Sequence, residues 1–222
     1  MIAGINPISY NDFPKEISYV IFLGGCNFRC PFCHNSSIVD KRGDEIKFSS
    51  VVDSLIERKN FIKAVVITGG EPTIYGDRLI SMIKTIKGLG FKIKLDTNGT
   101  NPSVLEKILD EGIIDYIAMD IKNTFDKYAE TIGCEVDLKR IKQSIKIIED
   151  SNIEYEFRTT INKKNHTTPD IEEIITYIKD KNKYFIQNYQ YSKEQICKKD
   201  FGRFEEDELN KIKQKLDVGI KV

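Results

Sequence analysis

The sequence predicts an α/β fold whose parallel sheet is built from six β-α units. Short runs of β-branched and other apolar residues alternate along the chain with segments whose apolar residues recur at helical spacing. Serial units of this kind form either an open doubly wound sheet or a partial barrel, because six are too few to close an eight-stranded barrel. The 222 residues contain no long linker rich in Pro, Gly or Ser, so a single domain over residues 1–222 is expected.

The predicted strands are the apolar runs, and a near-continuous run such as AVVIT suits a strand that is covered on both faces. They cover residues 17–23, 64–68, 92–96, 116–121, 155–161 and 184–189. Helices are predicted after the second to the sixth strand, the first of them after Asp77 and the last over residues 205–216. Asn101-Pro102, Asp137 and Thr168-Pro169 have the residue types that begin helices.

Composition gives no support for two kinds of partner, nucleic acids and membranes. The 34 Lys and Arg residues balance 34 Asp and Glu residues, so the net charge gives no reason to expect nucleic acid or an anionic membrane surface as a partner. No apolar run approaches the roughly 18 residues that span a bilayer. The segment MIAGINPISY also lacks the pattern of a secretory signal, so a cytoplasmic location is expected.

Polar or charged segments lie within the last part of all six predicted strands or directly after them, and function in such folds gathers at the carboxyl ends of the strands. In chain order they are GGCNFRCPFCHN (24–35), TGGEPT (68–73), DTNGT (96–100), MDIK (119–122), FRTT (157–160) and NYQY (188–191). Each segment alone is typical of a turn. All of them together predict side chains that converge on one mouth of the sheet.

The first of these segments holds three of the five cysteines, at the spacing C-x3-C-x2-C. Iron–sulfur clusters are held by Cys thiolates, normally four of them, so three ligands would leave one iron open for catalysis. The alternative is a structural zinc site, which needs a fourth ligand. His34, Cys134 and Cys197 are the candidates for that ligand, and the position of His34 next to Cys33 makes joint chelation sterically poor.

This spacing, with the aromatic Phe32 before the last cysteine and TGGEP (68–72) after the second strand, resembles the signature of the radical S-adenosylmethionine (SAM) superfamily. The resemblance implies a partial (β/α)6 TIM-like barrel that carries a 4Fe–4S cluster and cleaves SAM to a 5′-deoxyadenosyl radical. The implied catalytic cluster ligands are Cys26, Cys30 and Cys33. The implied SAM contacts are Phe32 at the adenine and Gly69, Gly70 and Glu71 at the methionine amino group.

Three further segments, CHN (33–35), LDTNG (95–99) and MDIK (119–122), are similar to the activating enzymes of glycyl radical enzymes. The matched positions imply SAM contacts from Asn35, Asp96, Asp120 and Lys122. They also imply a monovalent cation near Asp96, Thr97 and Asp120. Asp120 and Lys122 differ by two positions, so along a strand they would face the same side.

NDFP, MDIK and YEFRTT (155–160) together resemble the activating proteins of anaerobic ribonucleoside-triphosphate reductase over nearly the whole chain. Arg158 matches an arginine of that family and is expected to meet a carboxylate of SAM or the partner's backbone, or else to form a strand-end salt bridge. Gln190 stands near the place where pyruvate formate-lyase activators carry a histidine, which makes it the candidate SAM contact there. His166 lies in a polar loop and is expected to be exposed.

These resemblances imply an activase that removes a hydrogen atom from a glycine of anaerobic ribonucleotide reductase or another glycyl radical enzyme. They imply an external one-electron donor such as flavodoxin or ferredoxin. An incomplete barrel would leave a lateral opening for a polypeptide loop. Two alternatives stay open: a radical enzyme that acts on a small molecule, similar to 7-carboxy-7-deazaguanine synthase, and a zinc-stabilised binding module. Cys134 and Cys197 receive no role.

Overall fold

The computed structural model describes residues 1–40 and 43–221, and its eight-stranded sheet follows chain order from one edge to the other. β1 runs antiparallel to β2, whereas β2 to β8 are parallel. The sheet curves into an open half-barrel. The strands are β1 (Ile2–Phe13), β2 (Glu16–Leu23), β3 (Ala64–Gly69), β4 (Lys92–Thr97), β5 (Tyr116–Asp120), β6 (Glu154–Ile161), β7 (Tyr184–Asn188) and β8 (Gly219–Lys221).

Helices connect the parallel strands. They are α1 (Ser36–Val39), α2 (Phe48–Arg58), α3 (Asp77–Gly88), α4 (Pro102–Asp110), α5 (Tyr128–Ile132), α6 (Leu138–Glu149), α7 (Thr168–Thr176) and α8 (Glu206–Leu216). Asp137 caps α6 as predicted, and a reciprocal capping box of Thr167 and Asp170 begins α7. None of the helices described has the length and apolar character needed to cross a bilayer.

The six predicted strands correspond to β2 to β7, which confirms the α/β class and the partial barrel. The count of strands was too low, because β1 and β8 were not predicted. β1 contains Gly4 and Pro7 and departs from regular register at several points, features that edge strands tolerate and central strands do not. β8 has three residues, too few to give a periodic signal. Helix α2 was also missed.

The two faces of the sheet have different chemistry. The outer face packs on the helices, as Leu95 on β4 and Ile117 on β5 show, in one large apolar core. On the inner face, Phe13, Val20, Ala64 and Val66 form a small separate apolar cluster. Towards the carboxyl ends of β4 to β6 the inward positions become charged. Alternation along each strand therefore separates an apolar core from a polar interior.

Candidate functional site

The cysteine loop follows β2 and is held by backbone hydrogen bonds from both sides. Gly24 N–H donates to Met1 O at 2.8 Å, and Gly25 N–H donates to Ile38 O at 2.7 Å. The loop after β3 joins it, because Glu71 N–H donates to Gly25 O at 2.9 Å. Backbone contacts with the start of the chain, α1 and the β3 loop thus fix the path of the loop.

Cys26, Cys30 and Cys33 border one small cavity of about 190 Å³ at the mouth of the half-barrel. The cavity wall brings together ten of the predicted site residues from four strand ends and the cysteine loop. These are Cys26, Cys30, Cys33, Asn35, Gly69, Gly70, Asp96, Asp120, Lys122 and Arg158. The convergence predicted from the strand ends is therefore present in the structure.

Two of the three thiols of this cavity are shielded from water, Cys30 almost fully and Cys26 in part. Burial raises the pKa of the Cys26 thiol to about 11 and that of the Cys30 thiol to about 12. Thiols with such pKa values stay protonated at neutral pH unless a positive centre stabilises their thiolates. A metal centre supplies that charge, so this set of three cysteines suits a cluster.

Gly69 and Gly70 let the β3 loop touch the cysteine loop backbone to backbone. A Cβ on Gly70 would lie 2.0 Å from Gly25 O, and one on Gly69 would lie 2.3 Å from Leu23 O. Gly69 also has a φ of +123°, a conformation that side chains rarely adopt. No residue larger than glycine fits at either position without moving the end of β2 or the cysteine loop that follows it.

We expect Gly70→Ala to destabilise the protein by about 3 kcal/mol, the upper end for overpacking, because its Cβ would meet backbone that cannot move aside freely. Gly88→Ala is the matched control, because a Cβ there meets nothing within 4 Å. It should be neutral or stabilise the protein by up to about 1 kcal/mol. Urea unfolding measures both variants, and equal stabilities would contradict the close approach.

Glu71 lies behind the cavity wall. Its carboxylate is fully buried and accepts hydrogen bonds from Thr73 N–H (3.0 Å) and Thr73 Oγ1 (2.5 Å). It also accepts from Thr97 Oγ1 (2.8 Å) and Asn98 N–H (2.6 Å). Burial raises its pKa, while these donors act in the opposite direction. With both oxygens engaged by the protein, Glu71 ties the β3 loop to the β4 loop, and the SAM contact implied for it stays a prediction.

Asn98 has a role that sequence reasoning missed, since the segment DTNGT that contains it is by itself typical of a turn. Its Nδ2 donates to Asn27 Oδ1 at 2.8 Å, and its Oδ1 accepts from Thr100 Oγ1 at 2.7 Å. Asn27 Nδ2 in turn donates to Thr100 Oγ1 at 2.7 Å. This closed ring of hydrogen bonds joins the cysteine loop to the end of β4. The only sequence signal was the place of Asn27 directly after Cys26.

Arg158 is the centre of a largely buried ion-pair network on the inner face. Its Nε lies 2.9 Å from Asp120 Oδ1, and its Nη2 lies 3.6 Å from Asp96 Oδ2. Lys122 Nζ pairs with the other oxygen of Asp120 at 2.9 Å, and Lys94 Nζ lies 3.1 Å from Asp96 Oδ1. The salt bridge that the sequence left open for Arg158 is thus formed, and the guanidinium still borders the cavity.

The network keeps its carboxylates ionised. Burial opposes ionisation of Asp120, but Arg158 and Lys122 outweigh it and hold the pKa of that carboxyl below its ordinary value. Burial likewise opposes ionisation of Asp96, and Arg158 and Lys94 hold its pKa low. Lys122 keeps its proton because Asp120 offsets its burial and raises its pKa.

His166 is buried, 2% exposed, so the prediction of an exposed side chain was wrong. Its Nδ1 accepts a hydrogen bond from Asn162 N–H at 3.3 Å, which leaves the proton on Nε2. That Nε2 lies 2.9 Å from Lys122 O and donates to it. The imidazole therefore anchors the backbone of Lys122, a residue of the cavity wall, to the loop after β6.

Burial lowers the pKa of His166, so its neutral form supports folding above the unfolded pKa of about 6.5, and this support is lost as the pH falls below that value. We expect His166→Gln to destabilise the protein by about 1–3 kcal/mol at pH 8, through lost hydrogen bonds and packing. The difference in free energy of unfolding between wild type and variant should be smaller at pH 5.5, since only the wild type loses the stabilisation by neutral His166. Urea unfolding at both pH values measures this difference, and a difference that does not change with pH would contradict the buried, neutral imidazole.

A larger cavity of about 420 Å³ adjoins the first and shares Cys30, Cys33, Asn35 and Lys122 with it. The remaining wall comes from the cysteine loop, from β6 to β8 with the segment after β7, and from residues just before and within α8. It includes the predicted residues Phe32 and Gln190 together with Thr160, Gln187, Arg203 and Lys221. Phe32 is buried, with its ring 5.9 Å from that of Phe201.

The two cysteines without a predicted role flank the cysteine loop. Cys134 Sγ donates to Asn27 O at 3.5 Å, and Cys197 N–H donates to Pro31 O at 2.8 Å. Neither thiol belongs to the wall of the small cavity. Within residues 1–40 and 43–221, no three His, Cys, Asp or Glu side chains lie close enough to hold a single metal ion. The zinc alternative therefore lacks a mononuclear site in the part of the chain that the structure describes.

Comparisons with known proteins agree with this geometry. A model of the radical SAM superfamily matches residues 20–178. A Methanocaldococcus jannaschii protein, named as a candidate glycyl-radical enzyme activating enzyme, is 41% identical over 197 residues, or 86% of this chain and 80% of that protein. The 7-carboxy-7-deazaguanine synthase of Aquifex aeolicus is 36% identical over 83 residues, 37% of this chain and 36% of that enzyme.

Among solved structures, Streptococcus suis SuiB bound to precursor peptide SuiA has the same fold, with a TM-score of 0.71 at 19% identity. The match covers 95% of this chain and 49% of SuiB, so the chain spans about half the length of SuiB.

Proposed function

Because the chain belongs to the radical SAM superfamily and, within it, to the glycyl-radical enzyme activating enzymes, we propose that it removes a hydrogen atom from one glycine of an anaerobic ribonucleoside-triphosphate reductase. The observation that carries the proposal is the set of three clustered thiols in a small cavity that adjoins a larger one. Three protein ligands leave one iron of a 4Fe–4S cluster for a small-molecule ligand.

The residues of the small cavity fit the proposed cofactors. Cys26, Cys30 and Cys33 would hold the 4Fe–4S cluster, and the ammonium of Lys122 favours the thiolate forms of Cys26 and Cys30. When bound, the cluster and SAM supply a 5′-deoxyadenosyl radical. The backbone of Gly69 and Gly70 allows a ligand to approach closely, because no side chain stands in the way.

The polar groups at the ends of β4 to β6 suit the amino-acid end of SAM. Lys122 and Arg158 border the cavity and carry the positive charge that attracts its carboxylate. Asp96 and Asp120 orient these two cations through ion pairs. Glu71 acts as a positioning residue, since its carboxylate holds the β3 and β4 loops in place.

The larger cavity suits the glycine-bearing loop of the partner. Gln187 and Gln190 line it. Their side-chain amides can both donate to and accept from a peptide backbone. The opening lies at the β6 to β8 side of the half-barrel, next to Cys30 and Lys122. An external one-electron donor such as flavodoxin or ferredoxin completes the proposed system.

The test is to reconstitute the protein anaerobically with iron and sulfide, then add dithionite, SAM and the candidate reductase. A doublet glycyl signal in electron paramagnetic resonance should appear on the reductase. The matched control is a reductase whose target glycine is replaced by alanine, which should give no doublet. Cleavage of SAM without a glycyl signal on any glycyl radical enzyme supplied would contradict the proposal.

The small-molecule alternative is not favoured. The match to 7-carboxy-7-deazaguanine synthase covers 37% of this chain, whereas the match to the activating enzyme covers 86%. A partial match of that extent is expected for any two members that share the cysteine loop and the strand-end motifs. SAM cleavage strongly stimulated by a small substrate would restore that alternative.

A further inference from the structure

Protein cations already lie beside both carboxylates of the monovalent-cation site expected from the sequence, and Asp96 Oδ1, which accepts no hydrogen bond from the described residues, faces the ammonium of Lys94. Asp96 Oδ1 lies 3.1 Å from Lys94 Nζ, and Asp96 Oδ2 lies 3.6 Å from Arg158 Nη2. The oxygens of Asp120 lie 2.9 Å from Arg158 Nε and 2.9 Å from Lys122 Nζ.

Thr97, the third expected ligand, is also engaged. Its Oγ1 donates to Glu71 Oε1 at 2.8 Å and accepts from Gly99 N–H at 3.1 Å. A cation at this hydroxyl would have to compete with the hydrogen bonds that join the β3 and β4 loops. The donor set therefore does not fit an added ion.

Lys94 supplies the positive charge that lies beside Asp96 at the expected cation site. Its side chain is 4% exposed, and besides Asp96 its ammonium contacts Asp12 O at 2.7 Å. The ring of Tyr116 lies 5.9 Å from Nζ. An ammonium is a compact charge comparable to a small monovalent ion, and here β1, β4 and β5 hold it in one place.

We infer that the ammonium of Lys94 takes the place of a bound monovalent cation, so that this chain binds SAM and folds without K⁺ or Na⁺. The part about SAM rests on the proposed function. The part about Asp96 and ion binding concerns the chain alone, so it can fail or hold independently of any glycyl radical activity.

The test compares wild type with Lys94→Met in KCl, NaCl and choline chloride at equal ionic strength. Thermal unfolding of each protein and SAM binding to the reconstituted protein are measured. For the wild type we expect the same midpoint and the same Kd in all three salts, and no thallium NMR signal from bound Tl⁺. A midpoint several degrees higher, or a Kd about tenfold lower, in K⁺ or Na⁺ than in choline would overturn the inference.

For Lys94→Met we expect a lower midpoint in choline that K⁺ or Na⁺ partly restores, because Asp96 then has a vacant side. Lys94→Arg keeps the charge and should remain insensitive to the choice of cation. A Lys94→Met variant that folds but shows no cation response would contradict the assignment. If that variant does not fold, the wild-type salt series and the thallium measurement still decide the question.

Discussion

Replacement of Cys30 by alanine is expected to abolish cluster binding after anaerobic reconstitution. Cys30 is 8% exposed and borders both cavities, as Cys33 also does, so its thiolate would be a ligand on the side of the cluster that faces the larger opening. Two remaining cysteines cannot hold a cluster that normally needs four ligands and here has three from the protein. Iron and sulfide analysis should fall from about four of each per chain to near zero. The visible absorbance of the cluster should disappear with them.

The matched control is Cys197→Ala, because Cys197 also lies against the cysteine loop. Its backbone N–H donates to Pro31 O at 2.8 Å, a contact that the substitution keeps. This variant should bind the same iron and sulfide as wild type. Loss of the cluster in Cys197→Ala, or a full cluster in folded Cys30→Ala, would contradict the ligand assignment. Thermal unfolding of the apo proteins shows whether each variant folds.

The strands and the mouth could be predicted because their signals are local. Apolar runs set β2 to β7, and polar residues directly after each run mark the carboxyl ends that meet in parallel sheets. The cysteine spacing lies within one loop. Each of these features depends on neighbours in sequence, so the cavity wall followed from the pattern without knowledge of tertiary contacts.

The missed features depend on contacts between distant residues. Lys94 is held by Asp12, 82 positions earlier in a strand that the sequence did not reveal. His166 was expected to be exposed because its loop is polar, but Lys122, 44 positions away, supplies a carbonyl for its ring. Neither partner can be read from the residues around Lys94 or His166. Sequence pattern thus locates the mouth, whereas the fold decides which groups face a ligand and which support it.

Arg158→Met is expected to be the most destabilising of the charge-removing substitutions on the inner face. Arg158 is 13% exposed and pairs with both Asp96 and Asp120, so its loss leaves two carboxylates close together with less compensation. Removing one member of a buried ion pair costs about 3–5 kcal/mol, because the remaining charge stays buried without its partner. Urea unfolding at neutral pH should show a loss of this size, and SAM binding should weaken as well.

The pH dependence separates this explanation from lost packing. The pKa values of Asp96 and Asp120 are depressed in the folded protein, so their stabilisation is present above the unfolded value of about 3.9 and is lost as the pH falls through the folded values. In Arg158→Met the carboxyls of Asp96 and Asp120 have lost their strongest partner, so they take up protons at a higher pH than in the wild type. Their protonation removes the buried negative charge that destabilises the variant, at a pH where the wild type still has ionised pairs. The difference in free energy of unfolding between wild type and Arg158→Met should therefore decrease from pH 7 to pH 4, whereas lost packing alone would leave it constant.

Arg140→Met provides the control for the same substitution on the surface. Arg140 is 59% exposed, and its Nε lies 3.8 Å from Asp137 Oδ2. An exposed pair of this kind contributes about 0–1 kcal/mol, so the variant should unfold within about 0.5 kcal/mol of wild type. A similar loss in both variants would mean that methionine is disruptive by itself. A wild-type stability for Arg158→Met would mean that Lys94 and Lys122 suffice to compensate Asp96 and Asp120, and Arg158 would then be free for SAM or the partner.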